Sequence, residues 1–266
     1  MLGPRVLVAA LGIPLLAGMA YLGGWWLAGL AAVLSLLGWR EYVMLFKNSI
    51  HAIYIWIGYL GTMLVILAWQ TGAPPALAAM TLWSLSLLAL LLPSSGQPQP
   101  AAAAGLCLLG VLYIPGTLGH LIALRNIDCT WGFKLLMWTM ALVWLYDTGA
   151  YFFGLTLGRH RLAPAISPKK SWEGVAGGAA VAVLAAFGLG RWWQLPLTAL
   201  DTIVMALGIV AFGTAGDLVE SKLKRNVGAK DSGDLLPGHG GVLDRFDSMM
   251  FAVPWVYWYC RLVVFR

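Results

Sequence analysis

Long apolar runs separated by short polar breaks dominate the sequence. A helix needs about 20 apolar residues to span a bilayer. Candidate runs of this kind lie near residues 5–22, 24–46, 52–70, 74–93, 101–124, 134–157, 172–192, 197–219 and 248–264. The breaks carry helix-ending residues, such as Gly23-Gly24 and the polar segment 93–100. The pattern predicts an all-α, polytopic integral membrane protein with about nine transmembrane helices.

Composition supports a membrane environment. Of the 266 residues, 60% are hydrophobic and 11% are charged, whereas a soluble domain carries about 25% charged residues. A water-soluble fold of this size could not hide so much apolar surface. The net charge of +6 does not indicate nucleic acid binding, because the basic residues gather in short connections between apolar runs.

The distribution of basic residues predicts the orientation in the membrane. Short loops on the cytoplasmic side are enriched in Lys and Arg. Alternation from a cytoplasmic N-terminus satisfies this rule best and leaves the C-terminus outside. It also places the two most polar loops, 158–171 and 220–247, on the cytoplasmic side. We therefore expect a polar active site to face the cytoplasm.

Acidic residues are concentrated near the C-terminus. Six of the eleven Asp and Glu residues lie in one segment: Asp217, Glu220, Asp231, Asp234, Asp244 and Asp247. Basic residues are interleaved with them: Lys222, Lys224, Arg225, Lys230, His239 and Arg245. One interpretation is a solvated cytoplasmic loop. The positions of several acids favour a functional site instead.

The carboxylates lie at the boundaries of apolar runs. Asp217 is inside or at the end of such a run, where an unpaired carboxylate is costly, and Glu220 follows on the same helix face. Asp244 and Asp247 share a face where the last run opens. Mg²⁺ takes one or two protein carboxylates and completes its shell with phosphates and water. The adjoining glycine run, 238–241, allows close approach of backbone N–H groups to phosphate, but is equally consistent with a plain loop.

A second polar group lies between residues 147 and 174. Asp147, inside an apolar run, is either a polar contact between helices or a metal ligand or partner of a cation. Lys169 and Lys170 either mark the cytoplasmic side or hold phosphate beside the start of a helix that Ser171 caps. Glu173 is expected to be a structural acid of the first helical turn.

Other polar residues carry weaker signals. Arg40 and Glu41 could pair at the inner end of the second run, with no chemistry assigned. His160 is isolated and forms no metal-ligand spacing. The three cysteines form no CxxC pair, and no G-x-S-x-G, H-E-x-x-H or Walker sequence is present. Disulfide frameworks, zinc sites, serine hydrolases and P-loop enzymes are therefore not expected.

The sequence from Ser221 to Asp247 closely resembles the signature of phosphatidate cytidylyltransferases, also called CDP-diacylglycerol synthases. Segments 147–151 and 167–174 resemble the same family, with Ser171 where Thr is more common. The resemblance covers roughly the C-terminal half. We therefore divide the chain into N-terminal transmembrane helices, residues 1–130, and a C-terminal catalytic part, residues 131–266.

The resemblance implies a Mg²⁺-dependent nucleotidyltransferase that transfers CMP from CTP to phosphatidic acid, giving CDP-diacylglycerol and pyrophosphate in phospholipid biosynthesis. It also implies a second, monovalent cation such as K⁺. The expected location is the bacterial inner (cytoplasmic) membrane, and the expected partners are CTP, phosphatidic acid and the lipid bilayer. A homodimer is a hypothesis that no sequence feature supports.

The resemblance implies the metal-binding acids, and the other residue roles are hypotheses about the mechanism. The predicted metal ligands are Asp217, Asp244, Asp247 and Asp147, and the first three act in catalysis with Lys230 and Asp231. The predicted substrate-binding residues are Ser167, Lys169, Lys170, Ser171, Lys222, Lys224, Arg225, His239, Gly240, Gly241 and Arg245. Asp231 could instead hold a lysine, His239 could shape its loop, and Arg245 could be a counter-ion.

Other functions are left open by the sequence. A CTP-using enzyme acting on another lipid, such as an archaeal ether-lipid cytidylyltransferase or a polyprenol kinase, would have similar requirements. A cation or phosphate transporter would also carry intramembrane acids, but would spread them over several spans and often repeat its halves. A purely structural membrane protein would leave the mixed acidic and basic loop unexplained.

Overall fold

Most of the described chain is helical. A computed structural model describes residues 3–72, 74–91, 99–235 and 240–266. The helices are α1 (Gly3–Leu22), α2 (Gly24–Leu45), α3 (Ala52–Thr71), α4 (Pro74–Ala89), α5 (Pro100–Leu118), α6 (His120–Arg125), α7 (Gly132–Leu157), α8 (Trp172–Trp192), α9 (Ala199–Asn226) and α10 (Leu243–Tyr259). A π-helical turn, Cys260–Val264, follows α10. The predicted all-α class is confirmed.

Several helices have the length and apolar character of membrane spans. Within the described ranges, five satisfy both criteria: Gly24–Leu45, Ala52–Thr71, Pro100–Arg125, Trp172–Trp192 and Ala199–Asn226. Large apolar side chains such as Trp56, Leu184 and Trp192 are exposed on them, as expected where lipid is the solvent. The chain is an integral membrane protein. The number of nine crossings and the orientation stay predictions.

The fold differs from the sequence prediction in the two polar loops. Residues 158–171 contain an antiparallel hairpin of β1 (Arg161–Ala163) and β2 (Ser167–Ser171). The loop predicted from residue 220 is helical at its start, because α9 continues to Asn226. The polar residues after Val219 do not end the helix, since Lys and Glu are good helix formers.

The chain folds into two compact units. The first unit comprises Met1–Ala123 and Asp231–Leu243. The second unit comprises Leu124–Lys230 and Asp244–Arg266. The division does not follow chain order, because a short segment near residue 240 belongs with the N-terminal helices.

Helices α2, α3 and α5 form the core of the first unit around two aromatic residues of α2. Trp39 Nε1 donates to Ile55 O at 3.2 Å, and the Tyr42 hydroxyl donates to Leu106 O at 3.1 Å. A Cβ at Gly58 would collide with the Trp39 ring. Small residues therefore let these helices approach closely, as is usual in membrane proteins.

Helices α7, α8, α9 and α10 form the second unit. Tyr146 packs with Ala182 and Val210 in the core between α7, α8 and α9. The start of α9 has a capping box, in which Thr198 and Asp201 bond reciprocally. The Tyr259 hydroxyl donates to Asp201 at 2.8 Å and so joins the end of α10 to the start of α9.

The hairpin is anchored to the start of α8. Ser171 caps this helix by accepting a hydrogen bond from Gly174 N at 3.2 Å, as predicted. Glu173 accepts from the backbone N–H groups of Arg159 and His160 and contacts the His160 ring at 2.5 Å. Glu173 thus makes the structural contacts expected of a first-turn acid, and the hairpin holds Lys169 and Lys170 in place.

Candidate active site

A cavity of about 610 Å³ lies within the second unit. Four helices and the hairpin contribute to its wall. Its polar lining consists of Tyr146, Asp147, Arg161, Lys169, Lys170, Ser171, Thr214, Asp217 and Ser248. The structure therefore brings together two predicted metal ligands and three predicted substrate-binding residues that lie up to 70 positions apart in the chain.

An ion pair crosses this cavity between β2 and α9. Lys170 Nζ lies 2.5 Å from Asp217 Oδ2, and the two side chains are 25% and 30% exposed. The other oxygen, Asp217 Oδ1, accepts a hydrogen bond from Ser221 Oγ at 3.3 Å. The intramembrane carboxylate noticed in the sequence thus has a cationic partner, and that pair is accessible from the cavity.

Asp147 presents its side chain to the open cavity. It is exposed, and the structure gives it no hydrogen bond or ion pair within the described ranges. Its charge interacts with those of Asp217, Lys170 and Arg245. Both interpretations of its position, a polar contact between helices and a metal ligand or partner of a cation, stay predictions.

Asp247 belongs to the same electrostatic group. Its charge interacts with Asp217, Glu220 and Asp147, and its Oδ1 accepts from Ser248 N at 2.6 Å. A Cβ at Gly216 would collide with Asp247 O, so α9 and α10 are in direct backbone contact here. The absence of a side chain at residue 216 lets the carboxylates of these two helices approach each other.

A buried ion cluster follows along α9. Lys224 Nζ lies 2.5 Å from Glu220 Oε2 and 2.5 Å from Asp244 Oδ1. The side chains of Lys224, Glu220 and Asp244 are 10%, 2% and 6% exposed. Glu220 does share a helix face with Asp217, as the spacing predicts. Two carboxylates share one ammonium group, and a phosphate could reach Lys224 only if these contacts were broken.

Arg225 connects the hairpin to the end of α9. Its guanidinium donates to Ile166 O at 3.4 Å and to Ala229 O at 2.9 Å. Lys222, Lys230 and Arg245 are exposed. Ser167 pairs with Ala163 in the hairpin. Arg225 is thus bonded to backbone carbonyls, whereas the other three basic side chains lie on the surface of their unit.

Three predicted site residues, Asp231, Gly240 and Gly241, belong to the first unit. Asp231 is exposed, and Gly240 has a positive φ of 78°. A Cβ at Gly241 would collide with Ser232 Oγ, so this glycine permits a close packing contact. His239 lies outside the described residues.

Sequence reasoning missed residues in both units. The Tyr146 and Thr214 hydroxyls hydrogen-bond to each other in the cavity wall. Thr214 lies one turn before Asp217 on the same face of α9, and this spacing could have identified it. In the first unit, Glu41 accepts hydrogen bonds from Ser232, Val242 and Leu243. The suggested Arg40–Glu41 ion pair is not found within the described part of the chain.

The carboxylates at the cavity could hold a hard cation such as Mg²⁺ only if substrate oxygens supplied further ligands. Within residues 3–72, 74–91, 99–235 and 240–266, no three His, Cys, Asp or Glu side chains are grouped closely enough to hold a metal ion. Carboxylates are nevertheless the ligand type that Mg²⁺ prefers, and phosphates and water commonly complete its shell. The predicted Mg²⁺ ligands stay predictions, as does a second, monovalent cation.

Comparison with known proteins provides independent evidence. A model of the Cytidylyltransferase family matches residues 3–263. The phosphatidate cytidylyltransferase of Bacillus subtilis (strain 168) is 42% identical over 158 residues, which are 59% of this chain and 58% of that protein. The protein of the same name from Staphylococcus haemolyticus (strain JCSC1435) is 35% identical over 262 residues, covering 94% of this chain and 95% of the relative.

A third relative, the phosphatidate cytidylyltransferase of Staphylococcus aureus (strain COL), is 32% identical over 254 residues. The match therefore spans little more than half of the Bacillus subtilis protein but nearly the whole of these two staphylococcal proteins. The resemblance seen in the C-terminal signature extends over the N-terminal helices as well. The chain belongs to the cytidylyltransferase family.

Proposed function

We propose that this protein is a phosphatidate cytidylyltransferase, which transfers CMP from CTP to phosphatidic acid and yields CDP-diacylglycerol and pyrophosphate. The observation that carries the proposal is the cavity in which Asp147 and Asp217 lie beside Lys169 and Lys170. Such a site suits two substrates that both bear phosphate. Membership of the family supports nucleotidyl transfer, and the names of the relatives support phosphatidic acid as the acceptor.

The reaction is a displacement at the α-phosphorus of CTP. A phosphate oxygen of phosphatidic acid forms the new O–P bond, and the bond from the α-phosphorus to the bridging oxygen breaks as pyrophosphate leaves. A phosphate monoester has a second pKa of about 6, so the nucleophile is largely dianionic at neutral pH and needs little help from a base. The main barrier is the repulsion between two polyanions, which positioning and charge neutralisation relieve.

Lys170 is the best-placed cation for a substrate phosphate. Its ion pair with Asp217 lies in the cavity wall and is partly exposed. An incoming phosphate can replace Asp217 as the partner of this ammonium group. Lys169 and Arg161 line the same cavity and add positive charge for the second substrate.

Asp217 and Asp147, which line the cavity, would hold Mg²⁺ together with substrate phosphates. The charge of Asp247 interacts with both of these carboxylates. When bound, Mg²⁺ would neutralise part of the charge of the triphosphate and polarise its oxygens. Release of Asp217 from Lys170 would free one carboxylate and one ammonium group at the same time. A second, monovalent cation is part of the proposal, without assigned ligands.

The lipid substrate would keep its acyl chains in the bilayer. Tyr151 and Leu155 of α7 line the cavity and are 63% and 67% exposed. These side chains provide an apolar edge beside a polar cavity, which matches a molecule with a charged head and apolar tails. A bacterial inner membrane and a site that faces the cytoplasm complete the proposal.

The test is transfer of label from CTP to lipid. Purified protein is incubated with Mg²⁺, dioleoyl phosphatidate and CTP labelled with ³²P at either the α- or the γ-phosphate. Label from the α-position should enter the lipid fraction only when phosphatidate is present, and EDTA should prevent its incorporation. Label from the γ-position should not enter the lipid.

The other outcomes separate the alternatives. Transfer of the γ-label would contradict nucleotidyl transfer and indicate a lipid kinase. Transfer of the α-label only to another lipid acceptor, such as an ether-lipid phosphate, would contradict the proposed substrate. A folded protein that transfers neither label to any acceptor would contradict the enzymatic proposal.

A further inference from the structure

Glu41 is a buried carboxylate near the end of α2. It is 4% exposed, and both of its oxygens accept hydrogen bonds from described residues. Oε1 accepts from Val242 N at 2.8 Å, and Oε2 accepts from Leu243 N at 2.9 Å and from Ser232 Oγ at 3.1 Å. An ionised carboxylate offers only acceptors, which matches these three donors.

All three donors come from one short segment far along the chain. Glu41 and Val242 are separated by 201 positions. The donors lie on two arms of that segment, Ser232–Gly233 and Gly241–Leu243. A single side chain therefore fixes both arms within the first unit.

Glycines in both arms allow this approach. A Cβ at Gly241 would collide with Ser232 Oγ and crowd the Glu41 carboxylate, and a Cβ at Gly233 would lie 3.2 Å from Glu41 Cγ. Glycine at residues 233 and 241 thus serves the packing of the arms around Glu41. This accounts for Gly241 without any contact to a phosphate.

The second arm leads directly into α10. Leu243 is the first residue of this helix, and its first turn carries Asp244 and Asp247. Backbone N–H groups at a helix start lack acceptors within the helix, and a carboxylate there is also favoured by the helix dipole. Glu41 supplies acceptors to two of these N–H groups, Val242 and Leu243.

We propose that Glu41 is a positioning residue for the transfer of CMP, and this inference rests on the proposed function. Glu41 holds the two arms and Leu243, the residue that directly precedes Asp244 in the chain. It contacts neither substrate. Replacing one of its oxygens by a donor leaves a backbone N–H group without an acceptor, and a buried donor without an acceptor is costly.

The experiment compares three variants of the full-length protein. Glu41→Gln keeps the size of the side chain but turns an NH₂ group towards a backbone donor. Ser232→Ala removes one of the three hydrogen bonds. Lys47→Gln is the matched control, because Lys47 is exposed just beyond the same helix and also loses one charge. The measurements are kcat and KM for CTP, thermal unfolding, and hydrogen–deuterium exchange of peptides from both arms.

We expect Glu41→Gln to lower kcat by about 10- to 100-fold with little change in KM, because misplaced catalytic groups weaken the transition state more than substrate binding. Exchange should rise in the two arms and in the first turn of α10, and stay unchanged in α3 and α5. Ser232→Ala should show the same changes to a smaller extent. Lys47→Gln should match the wild type.

Other outcomes would overturn the inference. A kcat of Glu41→Gln equal to that of the control, despite faster exchange in the arms, would show that their placement does not matter for transfer. Faster exchange throughout the first unit together with a lower unfolding temperature would indicate a structural role only.

If Glu41→Gln fails to fold, Ser232→Ala decides by the same criteria. An inactive wild-type protein would contradict the proposed function itself, whereas an active wild type with fully active variants would contradict only the positioning role.

Discussion

Lys170 and Lys224 are both paired with carboxylates, but the two pairings differ in what they cost to break. The Lys170–Asp217 pair is partly exposed, and pairs of that kind contribute about 0–1 kcal/mol. Lys224 is buried between Glu220 and Asp244, and removal of one partner of a buried pair costs about 3–5 kcal/mol. Under the proposed function, a substrate phosphate would displace Asp217 from Lys170 at little cost, whereas Lys224 is better suited to stabilise its helix than to bind a ligand.

Replacement of Asp217 tests its assignment to the metal and phosphate site. Asp217→Asn should lower the rate of CMP transfer by about 100-fold or more. This is the effect expected when a group that helps to stabilise the charge of the transition state is removed. The variant should unfold at nearly the wild-type temperature, because Asn still fits beside Ser221. The measurement is lipid labelling at saturating CTP.

Asp234→Asn is the matched control, because Asp234 is exposed in the first unit and undergoes the same chemical change. Its labelling rate should equal that of the wild type. If Asp217→Asn retained full activity, Asp217 would have to be removed from the proposed metal and phosphate site.

At the scale of elements, α9 is the helix on which the site is assembled. It carries Asp217, Glu220 and Lys224 along one face, within its last three turns. The same helix contacts α7 through Thr214 and Tyr146, and α10 through Gly216 and Asp247. The position of the cavity therefore depends on how the C-terminal half of α9 is held.

The buried ion cluster should stabilise this part of α9. Lys224→Met leaves Glu220 and Asp244 without their shared counter-ion, and we expect it to destabilise the protein by about 3–5 kcal/mol. Thermal unfolding in detergent measures this change. The double variant Lys224→Met/Glu220→Gln should recover part of the loss, because it also removes the buried charge of Glu220.

Lys222→Met is the control for this series, since Lys222 lies on the same helix but is exposed. A substitution of that kind should change stability by no more than about 0.5 kcal/mol. Equal unfolding temperatures for the Lys224 and Lys222 variants would show that the cluster does not stabilise the helix.

At the scale of the whole molecule, a native cysteine reports the predicted orientation. Cys107 and Cys260 are buried, whereas Cys129 is exposed in the connection before α7. A cytoplasmic N-terminus and the predicted alternation place this connection outside the cytoplasmic membrane. A maleimide that cannot cross membranes should therefore label Cys129 in intact spheroplasts.

The Cys129→Ser variant should remain unlabelled and serves as the control for specificity. Labelling that requires lysis of the spheroplasts would place the connection in the cytoplasm. That result would reverse the predicted orientation of the chain and move the polar cavity to the other side of the membrane.

Much of the fold follows from local features of the sequence. Each predicted apolar run overlaps at least one described helix, because a bilayer requires every backbone polar group in a span to be bonded within that span. The Ser171 cap and the shared face of Asp217 and Glu220 also depend only on neighbours a few positions apart. Asp147, Lys170 and Asp217 were predicted as site residues because each is charged and lies inside or beside an apolar run. All three line one cavity.

The sequence by itself determined the helices, the membrane environment and the segments that carry the polar residues, because hydropathy and helix periodicity are local properties. Only the tertiary structure decided which charged residues are partners. Nothing near Glu41 indicates that it accepts hydrogen bonds from Ser232, Val242 and Leu243, and nothing near Lys224 distinguishes it from Lys222 beyond the helix face on which it lies. Such pairings arise when packing brings distant backbone and side chains together and removes them from solvent, and that information is not contained in any short stretch of the chain.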